Sequence, residues 1–143
     1  MKLTRTVVYA ICATLELARA GPDCSICCRE LAQRGRLPER FLLRILRILV
    51  THGILRSTRG TTGGYCVSRP GDQITLLDIV DAFDESLHPR LPNNSPIVSK
   101  VSERLLRTLE LTTHAARHEL QNVTIADLLE AASNDLSEIK LEH

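Results

Sequence analysis

Two groups of side chains in this chain have the types and spacing to do chemistry. Residues 24–28 read CSICC, which puts Cys24, Cys27 and Cys28 within one short stretch of a chain that has five cysteines. Cysteine sulfur can ligate zinc or react with oxidants. A structural zinc takes about four ligands, usually from two CxxC pairs, and the sequence has no second pair, so metal binding is a weak reading. A thiol at a helix start with Arg29 beside it is placed to meet oxidants, which makes Cys24 and Cys27 the candidate redox pair. Cys28 precedes Leu31 and Ala32 by three and four residues, so it is expected to pack inward with them. Cys12 and Cys66 read as small hydrophobic packing. The second group is Arg40, Arg44 and Arg47, at i, i+4 and i+7 of one predicted helix, opposite Leu42, Ile45, Leu46 and Leu49. One face suits a core and the other suits anions. The alternative for that face is simple solvation.

The elements that would hold these groups follow from periodicity and breakers. A helix is predicted over 4–20, ended by Gly21-Pro22, with Leu3, Val7, Ile11 and Leu15 as its apolar stripe. A second is predicted over 26–34, with Leu31 and Ala32 inward and Gly35 closing it. The arginine helix is predicted over 38–52, with Pro38 at its first position and Gly53 after it. Segments 54–59 and 65–69 have strand character and flank the loop GTTGG, and Pro70-Gly71-Asp72 makes a further turn. A helix over 75–84 buries Leu76, Leu77, Ile79 and Val80. SLHPRLPNNSP, residues 86–96, is proline-rich and reads as a linker. Val98, Val101, Leu105, Leu109, Thr112 and Ala116 then mark a stripe along a long helix over 97–120. Thr124 opens a last short helix, with Asp127 completing a weak capping box. The architecture is therefore mainly α with a small β-hairpin wing. A winged helix-turn-helix over 1–86 is joined by a linker, 87–96, to a long helix and a short C-terminal helix over 97–143.

Charge is distributed unevenly along this plan. Residues 1–70 carry 12 Lys/Arg against 4 Asp/Glu, and residues 71–143 carry 6 against 13. The front half is suited to a polyanion, although mutual attraction of the halves would also account for the split. Arg56, Arg59 and Arg69 add positive charge on or beside the hairpin, and glycines at its tip would let backbone approach DNA closely. Arg59 is placed to enter a minor groove, whose negative potential attracts arginine. The GTTGG run fits neither dinucleotide nor P-loop spacing, and a strand follows it where those motifs need a helix. No paired carboxylates or nucleophile–base constellation stands out, so no enzyme activity is expected. Glu16 and the four-residue stripe distinguish the first helix from a secretory signal, despite an A-x-A-like end at Ala18-Arg19-Ala20. No stretch has the roughly 18 uninterrupted apolar residues of a membrane span. With an odd number of cysteines as well, a cytoplasmic protein is expected.

Residues 38–69, PERFLLRILRILVTHGILRSTRGTTGGYCVSR, resemble the signature segment of the bacterial winged helix-turn-helix transcriptional regulator family of IscR, NsrR and CymR, the Rrf-type regulators. ITLLDIVDAFDES at 74–86 and MKLTRTVVYAICATLELA at 1–18 resemble its following and opening helices. The resemblance is close over 1–86 and continues in outline beyond. It implies a homodimeric regulator, most simply a repressor, that reads a palindromic operator in double-stranded DNA. Pro38, Arg40, Leu43 and Arg44 would be the early recognition-helix contacts, and Arg59 the wing contact. Arg47, Arg56, Gly60, Thr61 and Thr62 complete the expected DNA-binding set. The stripe from Val98 to Ala116 would be the dimerisation surface. Arg40 and Leu43 differ from the residues of the cluster-bearing member, so its operator is not carried over. Many relatives hold an iron–sulfur cluster through three cysteines in the loop before the long helix. Here 86–96 has none, and His88 alone does not replace them, so no cofactor is expected and the chain resembles the cluster-free branch. The effector stays open: a small molecule, a protein or an oxidant acting on Cys24 and Cys27. A protein-interaction module whose arginines meet an acidic partner is the reading from another class.

Overall fold

A computed structural model describes residues 2–83, 87, 89–93 and 96–141, with side chains given through 134. Asp84 at the end of the predicted fourth helix, His88 and part of the 86–96 linker lie outside the described residues.

The first helix, α1 (Arg5–Ala20), starts where Thr4 accepts a hydrogen bond from the Val7 amide, and ends at Gly21, whose φ of +94° suits glycine. Val7, Ala10, Ala13, Thr14 and Leu17 are its fully buried residues, whereas Leu3, Ile11 and Leu15 are only half-buried. The buried face is thus rotated from the predicted stripe and sharper in small residues. The cause is that α1 is packed by several neighbours at once, and alanines allow the close approach. Thr14 fits in the core because its hydroxyl donates to the Ala10 carbonyl at 2.8 Å.

After α1 come α2 (Cys28–Gly35), α3 (Glu39–Thr51), β1 (Leu55–Thr58), β2 (Gly64–Val67) and, past a short 3-10 turn, α4 (Leu76–Ala82). The turn between α2 and α3 places Arg36 in the left-handed region, φ +52°, which closes the helix-turn-helix tightly. β1 and β2 pair antiparallel, with Leu55 opposite Val67 and Thr58 opposite Gly64. α4 begins with a full capping box, in which Thr75 and Asp78 satisfy each other's backbone amides. The core is aliphatic throughout, with Leu17, Ile26, Leu31, Leu46, Leu49, Ile54, Ile74 and Ile79 buried among the described residues.

The last two helices behave differently from each other. The penultimate one, α5 (Ser99–Asn122), has 24 residues, about 36 Å of helix, and none of them is buried. The last, α6 (Ile125–Leu141), runs for 17 residues where the sequence suggests a short helix. No glycine or proline follows Thr124 to stop it. The Thr124–Asp127 box is reciprocal: the Thr124 amide donates to Asp127 at 2.7 Å, and the Asp127 amide donates to the Thr124 hydroxyl at 3.2 Å. Ile125 is fully buried, its amide donates to the Ile74 carbonyl at 2.9 Å, and α6 packs on α1. The start of α6 therefore belongs to the front-half core and is not an appendage of the long helix.

Candidate nucleic-acid interface

The interface is assembled on α3. Pro38 sits at the N-cap, one position before the first helical residue Glu39 and not at the first helical position that the sequence suggests, and offers no side-chain cap. Leu42, Ile45, Leu46 and Leu49 are at most 1% exposed, which fixes the helix against α1, α2 and α4. Burial of that face at every fourth and third position forces the other face outward. Arg40, Arg44 and Arg47 are all exposed, and none makes an ion pair with a described residue. Leu43 is half-buried at the edge of this face. Three guanidinium groups on one side of a groove-width helix can bond guanine edges or neutralise phosphate.

The hairpin supplies the second element. Gly60, at φ +104°, turns the chain after Arg59, and the Gly63 amide closes the loop onto the Gly60 carbonyl at 3.0 Å. A Cβ at Gly63 would stand 2.5 Å from the Thr58 carbonyl oxygen, so this glycine serves the hairpin's own closure. Arg59, Gly60, Thr61 and Thr62 are exposed together at the tip, as the sequence suggests.

Arg56 is engaged within the fold. Its Nε donates to the Cys66 sulfur at 3.0 Å and its second guanidinium nitrogen to the Pro22 carbonyl at 2.8 Å. Strand alternation points Arg56 and Thr58 to the same side, toward the 22–25 segment. Arg56 therefore anchors β1 to the segment before α2. Arg69 is engaged likewise, donating to the Gln73 and Gly53 carbonyls and to Asp78 at 2.8–2.9 Å.

The cysteines separate by environment. Cys24 and Cys27 are exposed, Cys12 and Cys28 half-buried, and Cys66 buried. Cys27 is the N-cap of α2, its sulfur accepting from the Glu30 amide at 3.5 Å. Cys28 packs against the core and approaches the Glu39 carbonyl at 3.7 Å. Burial first, then the negative charge of Glu39 and the neighbouring Cys27, push the Cys28 thiol above its ordinary range. Cys12 is less buried than the packing reading supposes. Among the described residues no three His, Cys, Asp or Glu side chains converge as a metal site. No helix among them is long and apolar enough to cross a membrane.

Along α5 the expected stripe divides. Val98, Val101 and Thr112 are exposed, while Leu105, Leu109 and Ala116 are half-buried. Leu111, which the stripe omits, is 68% exposed. The helix is held to α4 by a two-pronged ion pair, Arg117 to Asp81, with both bonds at 2.8 Å.

Comparison with known proteins bears on this arrangement. Residues 3–131 match the Rrf2 family, described as an iron-dependent transcriptional regulator. The chain is 29% identical over 135 residues to the protein rrf2 of Nitratidesulfovibrio vulgaris, covering 93% of this chain and 90% of that one. It is 34% identical over 87 residues to a Mycobacterium tuberculosis protein named as an HTH-type transcriptional regulator, spanning 61% of this chain and about half, 54%, of that relative. Among solved structures, CymR, the global cysteine regulator of Bacillus subtilis, superposes with a TM-score of 0.73 at 24% identity, covering 92% of this chain and 98% of that one.

Proposed function

The chain belongs to the Rrf2 family of transcriptional regulators, and from that premise we propose that it acts as a homodimeric repressor on a palindromic operator, reading each half-site with α3 and clamping it with the wing. The family consists of DNA-binding regulators, not enzymes. The observation that carries the proposal is the unpaired arginine face of α3, held outward by a fully buried aliphatic face. Arg40, Leu43 and Arg44 take the base-reading role, with Pro38 fixing the helix start and Arg47 on phosphate. Arg59 reaches the minor groove, and Gly60, Thr61 and Thr62 lie along the backbone. The second copy is invoked because no residue of α5 is fully buried within its own chain and Val98, Val101 and Leu111 stand in water. Two recognition helices would then sit about one helical turn apart. A dimer seated across a promoter represses by excluding polymerase, and its compartment is the cytoplasm.

The family description includes iron. The donor set here does not fit an iron–sulfur group: 86–96 has no cysteine, and the cysteines present lie in α1, the α2 entrance and β2. We derive no step through a cluster. A thiol-based signal is the second reading. Its support is that Cys24 and Cys27 are exposed and that the Cys27 sulfur caps α2, so its modification would disturb the helix that seats α3.

The test is a binding titration of duplex DNA from the protein's own promoter region against random duplex, repeated across a salt series. Preference for the promoter duplex and a steep loss of affinity with salt are expected. Equal affinity for both duplexes overturns the repressor reading and returns the arginine face to a protein-interaction role. Mobility shifts with and without peroxide test the second reading, which fails if Cys24→Ser/Cys27→Ser responds like the native chain.

A further inference from the structure

We propose that the segment 25–27 is a strap, paired to the wing through Ile26, that sets the reach of Arg59, with Ser25, Thr58 and Gly64 as positioning residues. The inference rests on the reading that Arg59 contacts DNA. Ile26 exchanges both backbone hydrogen bonds with Tyr65, Ile26 amide to Tyr65 carbonyl at 3.0 Å and the reverse at 2.9 Å. The hairpin is thereby stitched to the entrance of α2. An isolated two-stranded hairpin is marginal in water and needs such a partner to hold one orientation.

Thr58, which immediately precedes Arg59, is the junction. Its hydroxyl donates to the Ser25 hydroxyl at 2.9 Å and accepts from the Gly64 amide at 3.1 Å. One side chain thus ties the end of β1 to the start of β2 and both to the strap, at the point where the tip leaves the sheet. Gly64 is required by closeness: a Cβ there would stand 2.5 Å from the Ile26 carbonyl oxygen and 2.9 Å from the Cys27 nitrogen. Any side chain at 64 must push the hairpin away from the strap. Arg56 holds the far end of the same seam through the Pro22 carbonyl. The wing's angle to α3 is therefore set by the residues just before α2, and Arg59 is the DNA-facing group at the end of that lever.

The decisive experiment is a double-mutant cycle on the full chain, with anisotropy titrations on duplex DNA from its own promoter region and a thermal melt of each variant. Thr58→Val, which removes both hydrogen bonds of the hydroxyl, is expected to weaken binding by about three- to tenfold, while its melting point stays near that of the native chain. Thr58→Ser, which keeps the hydroxyl, retains affinity. In the Arg59→Ala background, Thr58→Val adds no further loss, and each change alone flattens the salt dependence alike. Gly64→Ala gives a larger loss; if it also melts early, the Thr58 arm decides alone. Losses from Thr58→Val and Arg59→Ala that simply add, or unchanged binding by Thr58→Val, overturn the proposal. Unchanged binding by Arg59→Ala instead overturns the wing-contact reading beneath it.

Discussion

α3 and α5 are both amphipathic helices with arginines along them, yet they meet opposite fates in the fold. Every leucine and isoleucine at the inner positions of α3 is buried by its own chain, and its arginines are left without ion-pair partners among the described residues. α5 has no fully buried residue, its leucines being at most half-buried, and its Arg117 is taken up by Asp81. An amphipathic pattern says that a face wants cover, but not whose surface provides it. In α3 the cover is internal, so the polar face becomes the external surface. In α5 the apolar face is what remains external, and a second copy is the proposed cover.

The strongest way to break the contrast is to truncate one residue on each side of it. Leu46→Ala, at a fully buried position of α3, is expected to cost about 2–5 kcal/mol in a denaturant or thermal melt. Val101→Glu on α5 is expected to halve the sedimenting mass while leaving the helical circular-dichroism signal in place. If Val101→Glu leaves the mass unchanged, the cover for α5 lies elsewhere. Next in size are the arginines. Arg40→Ala should lose about 1–3 kcal/mol of discrimination between promoter and random duplex, whereas Arg56→Ala should act mainly on the melt, since its guanidinium is engaged within the fold. A loss of discrimination from Arg56→Ala equal to that from Arg40→Ala would erase the distinction drawn between them.

Smaller effects sharpen the same picture. Timed alkylation read by mass spectrometry should label Cys24 and Cys27 first and Cys28 later, because Cys28 is half-buried and its thiol is pushed up. Cys66 should be labelled only on unfolding. The smallest effect concerns the α6 cap. Hydrogen bonds from the Thr124 amide and hydroxyl hold the Asp127 carboxyl below the usual carboxylate range. A folded value below the unfolded one gives stability that is present above the unfolded value and lost as pH falls through the folded one. Asp127→Asn should therefore flatten the acid limb of the melting curve, and an unchanged limb would remove the cap from the account.

Much of this was legible before any coordinates. The 3.6-residue spacing of Leu42, Ile45, Leu46 and Leu49 is enough to orient α3, because a single period dominates there. The stripe of α1 was less so, since a helix packed on many sides has no one apolar face. Arg56 and Arg69 look like Arg59 in sequence, and only the fold reveals that carbonyls, Cys66 and Asp78 occupy them. The strap at Ile26 is illegible for a different reason: one residue has no periodicity. The cysteine run around it draws attention to thiol chemistry, while its backbone does the structural work of joining wing to helix. The extension of α6 leaves no mark in the sequence, because neither glycine nor proline punctuates it.

The central claim is that the outward face of α3, doubled by a second copy, reads a palindrome. Selection of random DNA fragments on the purified chain, followed by sequencing, tests it most directly. The account predicts enrichment of an inverted repeat whose half-sites are centred about 10–10.5 base pairs apart, and loss of that enrichment with Arg40→Ala. Recovery of fragments with no shared sequence, or of single half-sites without symmetry, would contradict it.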